Sequence, residues 1–199
     1  MRRGFKSECE SLASAIRAEL GVDTRVPLDP RALAAHLEIP LRPVSSLAGP
    51  TVRPEVDHVM TVGKSVLSAI TIFPDWPKRR RVILFNDANS PARQSSDIAH
   101  ELAHGLLLHE PRHPFVNGCR DYNRGEEDEA AWLPGCLLVP RDAAFQVAWQ
   151  RQPVATAAVE YGVSQQLMTW RINQTGAGLQ AERSRARWAP QAVPPRAAR

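Results

Sequence analysis

Two histidines and one glutamate carry the strongest chemical signal in this chain. His100, Glu101 and His104 form the pattern His-Glu-x-x-His inside the apolar run from Ile98 to Leu108. Residues four apart on an α-helix leave the same face, so the two imidazoles can hold one metal ion. Glu101 emerges at the side of that face, where its carboxylate can reach a water on the metal without being a ligand. The pattern predicts half of a tetrahedral Zn²⁺ site, with Glu101 as its general base.

An acidic cluster at residues 126–129 is the expected source of a third ligand. Acids in the first turn of a helix are favoured by the helix dipole, and this explains most of the cluster. Glu129, however, shares a helix face with Trp132, Leu133 and Cys136, and this face should point toward the core. A carboxylate directed into a core needs a cation, and zinc held by two histidines lacks a third protein ligand. We therefore expect Glu129 to complete the metal site.

Pro134 and Gly135 interrupt the same helical segment. A proline there removes the amide that would bond to the carbonyl of Ala130, so the helix should kink or restart one turn after Glu129. Such a shift would make Glu126 the next candidate for the third ligand.

The helix that carries the histidines has a clear start signal. Ser90 is suited to cap the helix and Pro91 to occupy its first position, so the helix should run from Pro91 to about His109. Its core stripe is expected to contain Ile98, Leu102 and Leu106. Asp97 lies one turn before His100, where it either orients a ligand or is an ordinary surface residue. Cys119 is a conceivable thiolate ligand, although an ordinary free cysteine is the simpler interpretation.

The segment before this helix predicts two helices followed by a sheet. The first helix is expected over residues 7–20, and Asp29-Pro30 opens a second one that ends at Pro40. Residues 41–54 read as a loop or an extended connection. Three runs then have β-type composition, namely residues 58–62, 66–73 and 82–86, with a possible tight turn at Gly63-Lys64. Together these elements predict an α+β fold, in which a small, mainly antiparallel sheet packs against the zincin-type helices.

The segment after Pro140 predicts a C-terminal helical appendage. Residues 141–150 should be helical, and two further helices flank Gly162-Val163-Ser164 in a helix-turn-helix-like arrangement. Arg171 is the only base on the second of these two helices, which disfavours DNA readout and favours two packed helices. Our predicted organisation is residues 1–140 as a metal-binding domain, 141–178 as the appendage and 179–199 as a basic, disordered tail rich in Pro, Ala and Arg.

Composition predicts a cytoplasmic protein with a single main domain. The chain has 199 residues, of which 43% are hydrophobic, and no apolar run approaches the roughly 20 residues that span a bilayer. The N-terminus lacks the apolar core of a signal peptide. Five arginines and no acid lie in residues 183–199, so removing these five charges from the net charge of +4 leaves −1 for the rest. The basicity belongs to the tail, which gives only weak support to a nucleic-acid partner.

Several phrases together resemble the ImmA/IrrE family of bacterial metallopeptidases. They are residues 98–109 (IAHELAHGLLLH), 127–133 (EDEAAWL) and 137–140 (LLVP), and the upstream order of elements is similar, so the resemblance covers about residues 7–140. It implies a gluzincin-like zinc site in which His100, His104 and Glu129 bind the metal and Glu101 acts as base. It also implies that the substrate is a helix-turn-helix repressor in phage, mobile-element or stress control.

The expected activity is therefore zinc-dependent hydrolysis of a peptide bond. Tyr122, His113 and Arg124 are the candidate donors to the oxyanion, and the sequence does not choose among them. The main alternative is a regulatory module that binds a repressor or DNA without cutting, which would have no need of the base Glu101. A zinc hydrolase acting on a small molecule is the second alternative.

Overall fold

The chain folds as a set of helices around one small sheet. The computed structural model describes residues 2–47, 68–74, 80–110 and 123–188. Within these ranges it has α-helices and strands, which confirms the α+β class. The helices are α1 (Phe5–Glu19), α2 (Pro30–His36), α3 (Pro91–Leu106), α4 (Arg124–Leu138), α5 (Arg141–Trp149), α6 (Val154–Glu160), α7 (Gln165–Thr175) and α8 (Ala177–Trp188). The strands are β1 (Leu41–Pro43), β2 (Ala69–Ile72) and β3 (Val82–Phe85). None of the described helices has the length and apolar character to cross a membrane.

The sheet is mixed, whereas the sequence predicted a mainly antiparallel one. Its strand order is β1-β3-β2, with β1 parallel to β3 and β2 antiparallel to β3. Strand β1 comes from the segment predicted as a loop or an extended connection. It was not predicted as a strand, because three residues that include a proline carry no strand pattern. Among the described strands β1 lies at the edge of the sheet, and an edge strand tolerates Pro43 because one side of its backbone makes no bonds to another strand. The predicted strand at 58–62 and the turn at Gly63-Lys64 lie outside the described residues.

Helix α3 begins where the sequence predicted. The Ser90 hydroxyl accepts a hydrogen bond from the Arg93 amide at 3.4 Å, and Pro91 is the first helical residue. Ile98 and Leu102 are fully buried and pack with residues of α1, α2, α4 and the sheet. The helix ends at Leu106 rather than near His109, so the last predicted turn is replaced by an irregular one.

Helix α4 packs against both α1 and α3, and it runs unbroken from Arg124 to Leu138 with Pro134 inside it. The predicted restart after Glu129 therefore does not occur. Gly135 has a packing reason: a Cβ at this position would collide with the Trp170 ring of α7, and it would also lie 3.0 Å from Cδ of Arg171. The small residue allows α7 to pack directly on α4.

The two helices predicted as helix-turn-helix-like are part of the same packed body. Arg171 on α7 is fully buried, its Nε donates to the Val139 carbonyl at 2.7 Å, and its Nη2 donates to Glu10 on α1 at 2.8 Å. The only base of the second helix thus joins α7 to α1 and to the end of α4, where it cannot contact DNA. This arrangement supports two packed helices, and the helix-turn-helix-like appendage is not confirmed.

The start of the predicted disordered tail is helical. Helix α8 extends to Trp188, while residues 189–199 lie outside the described part of the chain. Arg185 donates through Nη1 to the carbonyls of Ala148 and Trp149, at 3.0 and 2.9 Å. The last carbonyls of a helix lack partners within it, so Arg185 satisfies the end of α5. The composition indicated only a charged tail. The contact of Arg185 with the end of α5 could not be predicted from it, because that contact depends on where α5 ends in the fold.

We expect Arg171→Met to lower the free energy of unfolding by about 2–4 kcal/mol, because it leaves the Val139 carbonyl and the Glu10 carboxylate without their buried donor. Urea unfolding of the purified chain, followed by circular dichroism, measures this. Arg183 is exposed on α8, and Arg183→Met should change the value by less than about 0.5 kcal/mol. Equal stability of the two variants would contradict the structural role of Arg171.

Candidate metal centre

His100 and His104 lie one turn apart on α3 and present their Nε2 atoms to the same point. The two Nε2 atoms are 3.2 Å apart, and both side chains are partly buried. The spacing expected from the helical repeat is therefore realised in the structure.

Glu127 on α4 completes a group of three possible ligands with this histidine pair. Its Oε2 lies 3.3 Å from Nε2 of His100, and its Oε1 lies 3.7 Å from Nε2 of His104. Two ligand atoms about 2.1 Å from a tetrahedral zinc ion are about 3.4 Å apart, so the three observed distances fit one ion. Two imidazoles and one carboxylate are also a donor set that catalytic zinc uses, with the fourth position left for water.

The structure corrects the expected position of Glu129. Its Oε2 lies 3.6 Å from Nε2 of His109, and among the described residues the possible metal group contains Glu127 instead. The alternative candidate, Glu126, is not in this group either. Residues two apart on a helix point about 200° away from each other, so Glu127 and Glu129 cannot occupy the same place.

The physical reason lies in the two neighbours of α4. The sequence argument assigned the face of Trp132 and Cys136 to α3, but this face packs against α1. Lys6 on α1 places its Nζ 4.1 Å from the centre of the Trp132 ring. Cys136 is fully buried in the same core cluster as Cys9 and Ala13 of α1. An inward direction on α4 therefore did not mean a direction toward the Nε2 atoms of His100 and His104.

Glu101 is held beside the sheet by a residue that the sequence did not single out. It is 8% exposed, and its Oε2 accepts a hydrogen bond from the Thr71 hydroxyl of β2 at 2.6 Å. The Thr71 hydroxyl bonds to Oε2 of Glu101 and leaves Oε1 without this bond. A buried carboxylate of fixed orientation, next to His100 in the chain, is suited to act as a general base.

The electrostatics of the site favour a neutral imidazole at His104. Burial lowers its pKa to about 4, the charge on His100 acts in the same direction, and Glu127 opposes both. A histidine binds metal in its neutral form, so His104 is ready to act as a ligand at neutral pH without first losing a proton.

Arg81 is a second residue that the sequence did not single out. Its guanidinium packs over the Phe73 ring at 5.7 Å, and its Nη1 would be 2.9 Å from a Cβ at position 105, so Gly105 makes room for it. Burial lowers the pKa of Arg81, while the charge on Glu101 acts in the opposite direction. A cation near the candidate base is a possible donor to an oxyanion.

The oxyanion donors expected from the sequence stay predictions. Tyr122 and His113 lie outside the described residues, as does the conceivable ligand Cys119. Arg124 is exposed at the first position of α4. Arg81 could not be predicted as a residue of this site from the sequence, because that would require knowing that the start of β3 lies beside α3.

Asp97 is not a surface residue, and within the described part of the chain it makes no hydrogen bond to a histidine. Its side chain is buried and pairs with Nε of Arg93 one turn earlier, at 3.0 Å to Oδ2. Burial raises its pKa, and Arg93 opposes this shift. Asp97 therefore stabilises the first turns of α3 with Arg93.

Comparison with known proteins supports the same type of site. Residues 58–173, which are more than half of the chain, match the model of the peptidase M78 family, described as the IrrE N-terminal-like domain. The matched range contains α3 and α4, and with them both histidines, Glu101 and Glu127. No curated protein and no solved structure matches the chain significantly. Peptidases of this family are metal-dependent and act on protein substrates. The chain therefore belongs to the peptidase M78 family of metallopeptidases, as its resemblance to ImmA/IrrE proteins predicted.

Proposed function

We propose that this protein is a cytoplasmic, zinc-dependent endopeptidase whose substrate is a helix-turn-helix transcriptional repressor. The observation that carries the catalytic part is the group formed by His100, His104 and Glu127, with the buried Glu101 beside it. The repressor as substrate rests on the resemblance of the motifs to the ImmA/IrrE family.

In the proposed reaction His100, His104 and Glu127 would hold the metal. Glu101 transfers the proton, and Thr71 positions Glu101. A zinc ion held by these residues would act as a Lewis acid and would lower the pKa of a bound water toward about 7. Glu101 accepts the proton of the attacking water on its carboxylate and can return it to the amide nitrogen as the peptide bond breaks. Thr71 keeps this carboxylate in place through its hydroxyl.

The sheet offers a way to position a peptide. Among the described strands β2 has a partner on one side only, and it carries Thr71, which contacts Glu101. An extended peptide that pairs with the free side of β2 would gain backbone hydrogen bonds and pass next to the base. This fits a protein substrate better than a small molecule, which needs no strand-like groove.

Elemental analysis of the purified chain tests the metal site. We expect about one zinc per chain in the wild type and almost none in the His100→Ala/His104→Ala variant, because two of three protein ligands are removed. Incubation with a purified repressor encoded beside this gene, followed by mass spectrometry, should show two fragments that a chelator prevents. Stoichiometric zinc in the double variant would refute the ligand assignment, and an intact repressor with zinc-loaded wild type would refute the proposed substrate.

A further inference from the structure

The turn after α3 brings a third histidine back against the metal site. The amide of His109 donates to the carbonyl of His104 at 3.0 Å, and the amide of Leu108 donates to the carbonyl of Gly105 at 3.1 Å. Leu108 has φ of 56° in this turn and is 85% exposed. A residue with a side chain rarely adopts this left-handed conformation, because its Cβ crowds the backbone. The turn is thus strained, and its result is the placement of His109 beneath His104.

His109 lies between a candidate ligand and a carboxylate. Its Nδ1 is 3.0 Å from Nδ1 of His104, and its Nε2 is 3.6 Å from Oε2 of Glu129. The His109 side chain is only 8% exposed. Its buried Nε2 has no hydrogen-bond partner within the described residues. A polar atom buried in this way is costly unless it acquires a partner, and Glu129 is the carboxylate beside it.

The proton positions follow from the direction of His104. Its Nε2 faces His100 and Glu127, so this atom is the one that would bind metal. A neutral imidazole that binds through Nε2 carries its proton on Nδ1. That proton is donated to Nδ1 of His109, which then acts as acceptor and carries its own proton on Nε2. The Nε2 proton of His109 points to Glu129, and a small side-chain rotation would shorten the gap of 3.6 Å to a hydrogen bond.

We propose that His109 and Glu129 are positioning residues of the metal centre: His109 accepts from His104 and donates to Glu129, which fixes the tautomer and the ring orientation of His104. Outer partners of this kind raise the basicity of a histidine ligand. The proposal rests on the zinc centre described above and assigns a function to Glu129 other than binding the metal.

Zinc affinity of the metal-free full-length chain tests this proposal. Affinity for Zn²⁺ is measured by competition with a chromogenic chelator, and the melting temperature of each metal-free variant reports on folding. We expect His109→Leu to weaken Zn²⁺ binding about 10- to 100-fold. His109→Asn should lie between Leu and wild type, because its Oδ1 can replace Nδ1 as acceptor while the donor to Glu129 is lost.

The second link is tested by Glu129→Gln. We expect a loss of about tenfold in Zn²⁺ affinity in the wild-type background. In the His109→Leu background Glu129→Gln should have no further effect, because Glu129 acts through His109. His36 is the matched control. It is exposed at the end of α2 and its Nε2 lies 2.8 Å from Oε1 of Glu19 on α1, so His36→Leu should leave Zn²⁺ affinity unchanged.

Unchanged Zn²⁺ affinity in folded His109→Leu would overturn the proposal while the zinc site itself stands. If His109→Leu does not fold, His109→Asn and Glu129→Gln provide the test. Wild-type Zn²⁺ affinity in both of these variants would overturn the proposal. If the role of His109 were purely structural, its variants would lower the melting temperature of the metal-free protein, but Zn²⁺ affinity would not rise in the order His109→Leu, His109→Asn, wild type. That result would overturn the proposal. A wild-type chain that binds no Zn²⁺ would refute the metal centre and this proposal together.

Discussion

Glu101→Gln is expected to keep the fold and the zinc content while cleavage of the repressor falls by at least about a hundredfold, which is the lower range for the loss of a general base. The substitution keeps size and polarity and still accepts the hydrogen bond from Thr71. It removes only the ability to take a proton. Initial rates of fragment formation, measured at equal zinc loading, give the comparison.

A control variant and a cellular assay make this result decisive. Glu182 is exposed on α8, and Glu182→Gln should cleave at the wild-type rate. Relief of repression, followed with a reporter, should disappear with Glu101→Gln if cleavage is the function. If Glu101→Gln derepresses as well as wild type and neither protein yields fragments, the chain regulates by binding and not by cutting.

Glu127→Ala is expected to weaken Zn²⁺ binding by more than about a hundredfold, beyond the effect typical of a lost outer partner. Only this acid of the 126–129 cluster lies within reach of both Nε2 atoms, at 3.3 and 3.7 Å, among the residues that the structure describes. Chelator competition on the purified metal-free protein measures the change.

The neighbouring acids are the internal controls for that experiment. Glu126→Ala should bind zinc as well as wild type, and Glu129→Ala should lose only about tenfold, since it acts through His109. A larger loss with Glu129→Ala than with Glu127→Ala would mean that Glu129 binds the metal, as the sequence alone had indicated, and that the rotation of α4 differs from the one described here.

Features that depend on a few neighbouring residues could be predicted from the sequence. The Ser90 cap with Pro91 defines the start of α3, and the helical repeat brings the Nε2 atoms of His100 and His104 to within 3.2 Å. The cap of Asp29 with Pro30 defines α2 in the same way. These features require no knowledge of any other element, because caps and the spacing of four residues act within one helix.

Features that depend on the contact between elements could not be predicted in this way. Strand β1 exists only because β3 lies beside it, and its three residues have no periodicity to detect. Thr71 and Arg81 approach Glu101 and Gly105 from the sheet, so their part in the site requires the packing of the sheet against α3.

The choice among the acids of α4 is the clearest example of this division. A helix packed on two sides has two buried faces. The sequence pattern placed Glu129 on an apolar face without showing which neighbouring helix that face meets. The contact of Trp132 with Lys6 on α1, and that of Gly135 with Trp170 on α7, set the rotation of α4 about its axis. The sequence by itself determined the spacing of the histidine pair and the place of Glu101 next to His100, because this geometry is local. Only the tertiary structure decided that Glu127 meets the pair and that Glu129 meets His109, because the orientation of one helix against two others depends on contacts between residues far apart in the chain.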